Sequence, residues 1–270
     1  MAATPVAAGR PPHRVPTKYD RGMPGLVAPM TLPPGEPAAG PWRAIREEDL
    51  VRVLFNAGSV SPRKPLIVAV DGRGASGKTT LAERLARQVD RSAIVHTDDI
   101  AWNEPFFTWG HLLGDHILSP LRRGESVMFS PPAWAKHGRD GAIEVRAGLD
   151  LVIIEGVGAS QRELSDLVDA TVWVQSDFAA AETRGIARDI AQGVNGSAEE
   201  TVAFWHEWMD EELLFLSEQR PWERACIVVA GTPTIPLERD RLAVASGPLE
   251  IAKPASSQVG RSDQWAPDIV

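Results

Sequence analysis

A mostly parallel, doubly wound α/β sheet flanked by helices is the fold class that this 270-residue sequence predicts, and three observations carry it. Short unbroken apolar runs bounded by turn residues read as strands buried on both faces. Segments of helical periodicity separate those runs, so strand and helix alternate along the chain. A glycine-rich turn joins the first such run to the next helix, at the end of the sheet where α/β proteins bind ligands.

The first 41 residues hold ten prolines and no regular periodicity, which predicts an extended arm (1–41) outside the core. Arg10, Arg14 and Lys18 precede its first acid, Asp20. No apolar secretory stretch accompanies them, and proline disfavours the helix of a transit peptide, so the expected location is cytoplasmic. From Trp42, the residues Ile45, Leu50, Val51, Val53, Leu54 and Phe55 approximate one helical face, predicting a short leading helix. Pro65 to Val70 is the first expected strand, followed by runs at 93–95, 151–154, 171–174 and 226–229. Helices are expected at about 79–89, 110–123, 161–168, 178–192 and 198–218. The main domain is thus expected over 42–235, with a loosely packed tail over 236–270.

Composition narrows the function classes. With 43% hydrophobic and 24% charged residues the chain reads as a soluble globular protein, and no apolar run approaches the roughly 18 residues that span a bilayer. No membrane partner is expected. A net charge of −8 removes the broad basic footprint of a nucleic-acid binder, though it leaves room for a local pocket that takes a small anion. The single cysteine, Cys226, cannot form an internal disulfide, and its apolar neighbours Ile227 to Val229 predict a buried core thiol. Whether the chain forms a homo-oligomer is left open.

The segment Gly72-Arg73-Gly74-Ala75-Ser76-Gly77-Lys78-Thr79-Thr80 follows an expected strand, opens an expected helix and satisfies G-x-x-x-x-G-K-[ST]. Glycines let the backbone curl until successive N–H groups face a phosphate, and the helix N-terminus adds partial positive charge. Lys78 would then reach the β and γ phosphates of ATP, and the Thr79 hydroxyl would ligate Mg²⁺. Gly72, Gly74 and Gly77 also spell G-x-G-x-x-G with Asp98 about 20 residues on, the spacing of a dinucleotide site. That alternative gives no reason for Lys-Thr directly after the third glycine.

Two acidic segments stand at expected strand ends: His96-Thr97-Asp98-Asp99 and Glu155-Gly156-Val157-Gly158. Asp98 could accept a proton from an attacking hydroxyl or hold the water shell of the metal, and Glu155 occupies the Walker B position for Mg²⁺. Asp99 reads equally as an N-cap of the following turn or as an acid on the substrate side. Farther on, Arg184 and Arg188 lie at i and i+4 on one helix face, where an anion between them would relieve their repulsion. They suit a helical lid that clamps the transferred phosphoryl group.

Together these residues resemble the uridine kinase and phosphoribulokinase group of P-loop kinases, and more closely its uridine kinase-like ATP-binding proteins, over about residues 65 to 232. The resemblance implies a P-loop NTPase fold of the nucleoside and nucleotide kinase type with a helical lid. It further implies Asp98 as catalytic base, Glu155 and Thr79 serving the metal, and Arg184 with Arg188 in the lid. Leu118 to Leu121, Glu155-Gly156 and the Trp205 and Trp208 pair also resemble the closer relatives. The acceptor segment departs from the pattern. His137 and Arg139 match, but Pro132 and Ala133 stand where uridine kinases carry Tyr and Asp, and Gly193-Val194-Asn195 stands where they carry Gly-Arg-Asp.

Nine tryptophans against one tyrosine is an unusual balance. Trp205 and Trp208, three apart on a helix, are expected to pack, whereas Trp102, Trp109 and Trp134 fall in segments expected to face Asp98. With Asp99, His137 and Arg139 they are the expected acceptor site, suited to a flat or apolar molecule that carries a polar or anionic group. The expected activity is Mg-ATP-dependent transfer to a hydroxyl of a small molecule. A true uridine or cytidine kinase, and a nucleotide-binding regulatory module that phosphorylates nothing, stay open beside it.

Overall fold

The computed structural model describes residues 29–58 and 64–250. Residues 1–28 of the expected arm and 251–270 of the expected tail lie outside the described residues.

A strand β1 (Arg43–Arg46) and helix α1 (Glu47–Ala57) lead into β2 (Leu66–Gly72), α2 (Lys78–Ala86), β3 (Ser92–His96) and the short α3 (Thr97–Ala101). Next come α4 (Gly110–Leu113), a π-helical turn (Gly114–Leu118) and α5 (Ser119–Arg122), then β4 (Val127–Phe129), α6 (Pro132–Lys136) and β5 (Ile143–Val145). The second half contains β6 (Leu151–Glu155), a 3₁₀ turn (Arg162–Leu167), β7 (Ala170–Gln175), α7 (Phe178–Gln192) and α8 (Ala198–Gln219). A further 3₁₀ turn (Pro221–Glu223), β8 (Ile227–Ala230) and β9 (Arg241–Ser246) complete it.

Seven strands form one sheet in the order β1-β9-β8-β7-β2-β6-β3, and β4 pairs with β5 alone. The five strands from β8 to β3 run parallel, while β9 and β1 are antiparallel additions at one edge. The alternation of β2 explains its unbroken apolar run. Leu66, Val68 and Val70 join a core built with Leu50, Leu54, Leu81 and Leu85 of α1 and α2. Ile67 and Ala69 enter the opposite core with Leu113, Ile117 and Leu121. A strand buried on both faces needs apolar side chains at both parities.

Several expected bounds are corrected. The leading segment is a strand before a helix, because β9 offers β1 an edge to pair with. The helix expected over 110–123 is a helical path interrupted by the π turn, where the Ser119 N–H reaches back five residues to Gly114 O. Pro120 follows at once and has no N–H to continue the ordinary ladder. Residues 236–270 were expected to be a loose tail, yet Leu242 to Ala245 are buried in the sheet, where β9 covers the edge of β8.

The last part of the proline-rich arm is also docked rather than outside the core. Trp173 Nε1 donates to Glu36 Oε1 at 2.8 Å, Gln175 Nε2 donates to the same oxygen at 2.9 Å, and the Phe178 N–H donates to Thr31 O. Glu36 is buried there, and burial raises its carboxyl above the usual glutamate value against the pull of Gln175, Trp173 and Arg73. Cys226, expected inside, is exposed, and its thiol donates to Thr171 O at 3.1 Å. Among the described residues no helix is long and apolar enough to cross a membrane.

Candidate functional site

β2 carries its chain to the ligand-binding end of the sheet and stops at Gly72. The following turn ends at Gly77, whose φ of +101° makes it the left-handed N-cap of α2, a conformation that strains any residue with a Cβ. Lys78 to Thr80 then open α2 with N–H groups that a helix leaves without intrahelical partners. Lys78 is buried, with Nζ donating to Arg73 O at 2.7 Å. Below the loop, buried Asp71 accepts from the Gly158 and Ser160 amides at 3.0 and 2.9 Å and from Ser160 Oγ at 2.7 Å. It ties the end of β2 to the turn after β6. Desolvation raises its carboxyl, opposed chiefly by the bonds from Ser160.

A cavity of about 930 Å³ opens above this loop, lined by Gly74 to Thr80, Asp98, Glu155, Gly156, Val157 and one face of α7 and α8. Register explains why the acids meet. Glu155 pairs with Val70 on one side and with His96 on the other, so the ends of β2, β6 and β3 are level. Thr79 Oγ1 donates to Glu155 Oε1 at 3.2 Å, and His96 Nδ1 lies 2.5 Å from the same oxygen. The bond to Glu155 raises the His96 pKa, against partial desolvation of the ring. His96 was not singled out from the sequence. Its signal was its place one residue before Thr97 at the end of β3.

Asp98 sits in the first turn of α3, exposed at the cavity that it lines. Desolvation raises its carboxyl above the usual aspartate value, with Lys78 opposing, Glu155 adding, and His96 and Arg188 opposing. Among the described residues, no group of three or more His, Cys, Asp or Glu forms an all-protein metal cage. A hydroxyl and one or two carboxylates, completed by phosphate oxygens, is the donor set that suits Mg²⁺ at a nucleotide. Thr79, Glu155 and Asp98 fit that description.

Arg184 and Arg188, expected to clamp one anion together, both line the cavity but bond to different partners. Arg184 leans across the loop, Nη2 donating to Ala75 O at 3.0 Å, and also lines a second cavity. Arg188 Nε donates to Asp189 Oδ1 at 2.7 Å, while Trp205 Nε1 donates to Asp189 Oδ2 at 2.7 Å. Trp205 can lie flat there because position 185 is glycine, whose added Cβ would meet the indole at 2.1 Å.

The Gly74 N–H is engaged by a residue that sequence reasoning missed. Glu212 of α8 is buried, accepts from that amide at 2.6 Å through Oε1, and pairs through Oε2 with buried Arg73 at 2.8 Å. The Arg73 guanidinium also lies 4.4 Å from the centre of the Phe178 ring. Arg73, expected at the nucleotide, is therefore turned inward, and α8 is latched to the first turn of the loop. Ser76 Oγ is fully buried without a hydrogen-bond partner among the described residues, beside both cavities.

The expected acceptor residues separate into two groups. Trp109 is 3% exposed and belongs to the core with Leu112, Leu113 and Ile117, so it does not face the cavity. Asp99, Trp102, Trp134, His137 and Arg139 do come together, but on one another. Arg139 Nη2 pairs with Asp99 Oδ1 at 2.5 Å, and its guanidinium stacks 3.6 Å from the Trp134 ring centre and 5.5 Å from that of Trp102. Trp134 Nε1 donates to Asp99 O at 2.8 Å, and the His137 ring meets Trp102 edge on. None of them lines the large cavity.

A smaller cavity of about 310 Å³ lies on the other side of the loop and shares Ser76, Gly77, Thr80 and Arg184 with the large one. Its remaining lining is mostly apolar, with Leu81, Val174, Val229, Pro233 and Leu242.

No family model matches the chain. A solved structure from Bacillus stearothermophilus, described as a "possible uridine kinase", covers 67% of this chain and 96% of its own at 18% identity and a TM-score of 0.43. Uridine-cytidine kinase A of Dictyostelium discoideum is 27% identical over 145 residues, which are 48% of this chain and 29% of that protein. Uridine kinase of Lactococcus lactis subsp. cremoris MG1363 is 27% identical over 147 residues, 48% of this chain and 71% of that protein. This chain thus spans less than a third of the Dictyostelium protein. About half of the sequence, carrying the phosphate loop on a mostly parallel sheet, is thus similar to curated uridine kinases, a likeness that supports a uridine kinase-like P-loop kinase.

Proposed function

We propose that this chain is a Mg-ATP-dependent phosphotransferase that phosphorylates a hydroxyl of a small molecule other than a pyrimidine nucleoside. The observation that carries the reading is convergence: Lys78, Thr79, Asp98, Glu155, Arg184 and Arg188 line one cavity although they come from four separate elements. Phosphoryl transfer needs positioning and charge stabilisation more than covalent chemistry. The first turn of α2 and Lys78 bind the phosphates, Lys78 exchanging its bond to Arg73 O for phosphate oxygens. Arg184, which reaches from α7 to Ala75 O of the loop, would stabilise the charge that develops on the transferred group. Asp98 orients the acceptor hydroxyl and takes its proton, a task that its raised pKa favours. Thr79 and Glu155 would hold Mg²⁺, whose chemistry there would be neutralisation of phosphate charge.

The relatives are named for uridine, but Pro132 and Ala133 offer no side-chain hydrogen bond to a pyrimidine, and Arg139 is already paired with Asp99. A site that has lost such partners loses its preference for the group they served. Lys78→Ala tests the core of the reading. Mg-ADP affinity should fall at least tenfold and ADP release by about 10²- to 10³-fold, with a cooperative melt retained. Unchanged nucleotide affinity in a folded variant would refute it. Among acceptors, kcat/KM for uridine above that of every other hydroxyl compound in a panel would restore the uridine kinase reading.

A further inference from the structure

The large cavity has two unlike walls. One is charged, with Lys78, Asp98, Glu155 and Arg184. The other is aromatic, made by Phe204, Trp205 and Trp208 of α8. A triphosphate chain gains nothing from rings. The smaller cavity across the loop, reached past Ser76, Gly77 and Arg184 and lined mostly by apolar residues, is a separate slot that suits a nucleobase. What remains for the aromatic wall is the acceptor.

Resting on the phosphotransfer reading above, we propose that the acceptor is a flat aromatic compound carrying a hydroxyl side chain, stacked on Phe204 and Trp208 with its hydroxyl at Asp98. Phe204 and Trp208 stand four apart on α8 and face the same cavity as Asp98. Phe204 is 40% exposed although its neighbour Trp205 is buried, so its ring is spent on the cavity and not on the core. Exposed rings in a cavity mark a place where an apolar ligand gains most.

The wall is also held in advance. Phe106 and Phe107 lie 5.4 and 5.2 Å from Trp208, and Phe107 stacks on Phe215 at 4.0 Å. Phe107 has a φ of +58°, a left-handed conformation that costs energy for a bulky residue and here fixes its ring against α8. The segment expected to hold the acceptor is closed on itself, since Asp99 neutralises Arg139 and Trp134 covers its face.

In the transfer, the acceptor oxygen forms a bond to the γ phosphorus as the bond from that phosphorus to the β,γ-bridging oxygen breaks. The hydroxyl proton passes to Asp98, and the bridging oxygen leaves with its electron pair on ADP.

Ligand-observed NMR on the full chain with Mg-ADP, using benzyl alcohol and 3-hydroxymethylpyridine against glycerol and glucose at millimolar concentration, tests the wall. The aromatic alcohols should bind and the open-chain and sugar alcohols should not. Trp208→Ala, and separately the more exposed Phe204→Ala, should weaken that binding by about 5- to 150-fold, the range for one lost stacking contact. Both variants should keep Mg-ADP affinity within about twofold by calorimetry, because the base lies elsewhere. Absence of binding by both aromatic alcohols, preference for glycerol or glucose, or an equal loss of Mg-ADP affinity in either variant would overturn the assignment. If Mg-ADP fails to bind the unaltered chain, the kinase reading falls. If it binds and the aromatic alcohols do not, the acceptor assignment alone falls.

Discussion

Asp98 and Asp99 are adjacent residues at the same strand end, and their surroundings give them opposite fates. Asp98 faces a cavity with no cation bonded to it among the described residues, and desolvation is the largest influence on its carboxyl, raising it. Asp99 is partnered, its side chain bonded to Arg139 and its carbonyl to Trp134. The same contrast runs through the whole end of the sheet. Charges around the loop and β6 are left with capacity for a ligand, whereas those in the segment from Trp102 to Arg139 satisfy one another. Residue type alone does not mark a site; unfilled bonding capacity beside a cavity does.

The largest effect expected from this contrast is on turnover. Asp98→Asn should lower ADP release at saturating acceptor by about 10²- to 10⁴-fold, the range for losing a positioned general base, while Asp99→Asn should change it only a few-fold. Asp99→Asn should instead show itself in the melting temperature, since it leaves Arg139 without its carboxylate. The reverse ranking in a single-turnover measurement would make Asp99 the open acid and break the comparison.

Arg73 and Glu212 sharpen it from the other direction, as a closed pair that joins the loop to α8. Both are almost fully buried, so Glu212→Leu should cost about 3–5 kcal/mol by stranding Arg73. Arg73→Met with Glu212→Leu removes both charges and should recover a large part of that loss, although the Gly74 amide then lacks its acceptor. Chemical denaturation of the single and double variants decides it. A double variant less stable than Glu212→Leu alone would mean that the pair does not act as one unit.

What was legible in the sequence is what lies close together in it. The phosphate loop is one string of residues, and Asp98 and Glu155 announce themselves by directly following apolar strand runs. Glu212 could not be found in that way, because it meets Gly74 across 138 positions and reads locally as one more acid on a charged helix. Glu36 meets Trp173 across 137 positions from within a proline-rich arm that has no periodicity. β9 was taken for tail because a six-residue strand after Pro236 carries no signal beyond Leu242 to Ala245. Trp205 and Trp208 were expected to pack, and Trp205 does, but the face of a helix that meets a cavity is set by the neighbouring helix α7, which helical spacing cannot supply. Of the residues expected at the acceptor, Asp99, Trp102, Trp134, His137 and Arg139 lie together, apart from Trp109 and away from the large cavity. Their mutual saturation depends on angles of approach that no spacing encodes.

The smallest effect concerns His96, which stands between the two kinds of region because it is half-exposed yet bonded to the buried Glu155. Its pKa lies above the ordinary 6.5, chiefly through that bond, so the folded state holds the proton more tightly than the unfolded chain does. The resulting stability is complete below about pH 6.5 and is lost as the pH rises through the raised folded-state value. Solvent screens a half-exposed pair, so the gain should be at most about 1 kcal/mol. His96→Gln keeps a side chain that can donate to Glu155 but cannot titrate. Melting of the two proteins should therefore differ most at mildly acidic pH and converge in alkali. A difference that stays constant, or widens with rising pH, would show that His96 acts on Glu155 through packing and not through its proton.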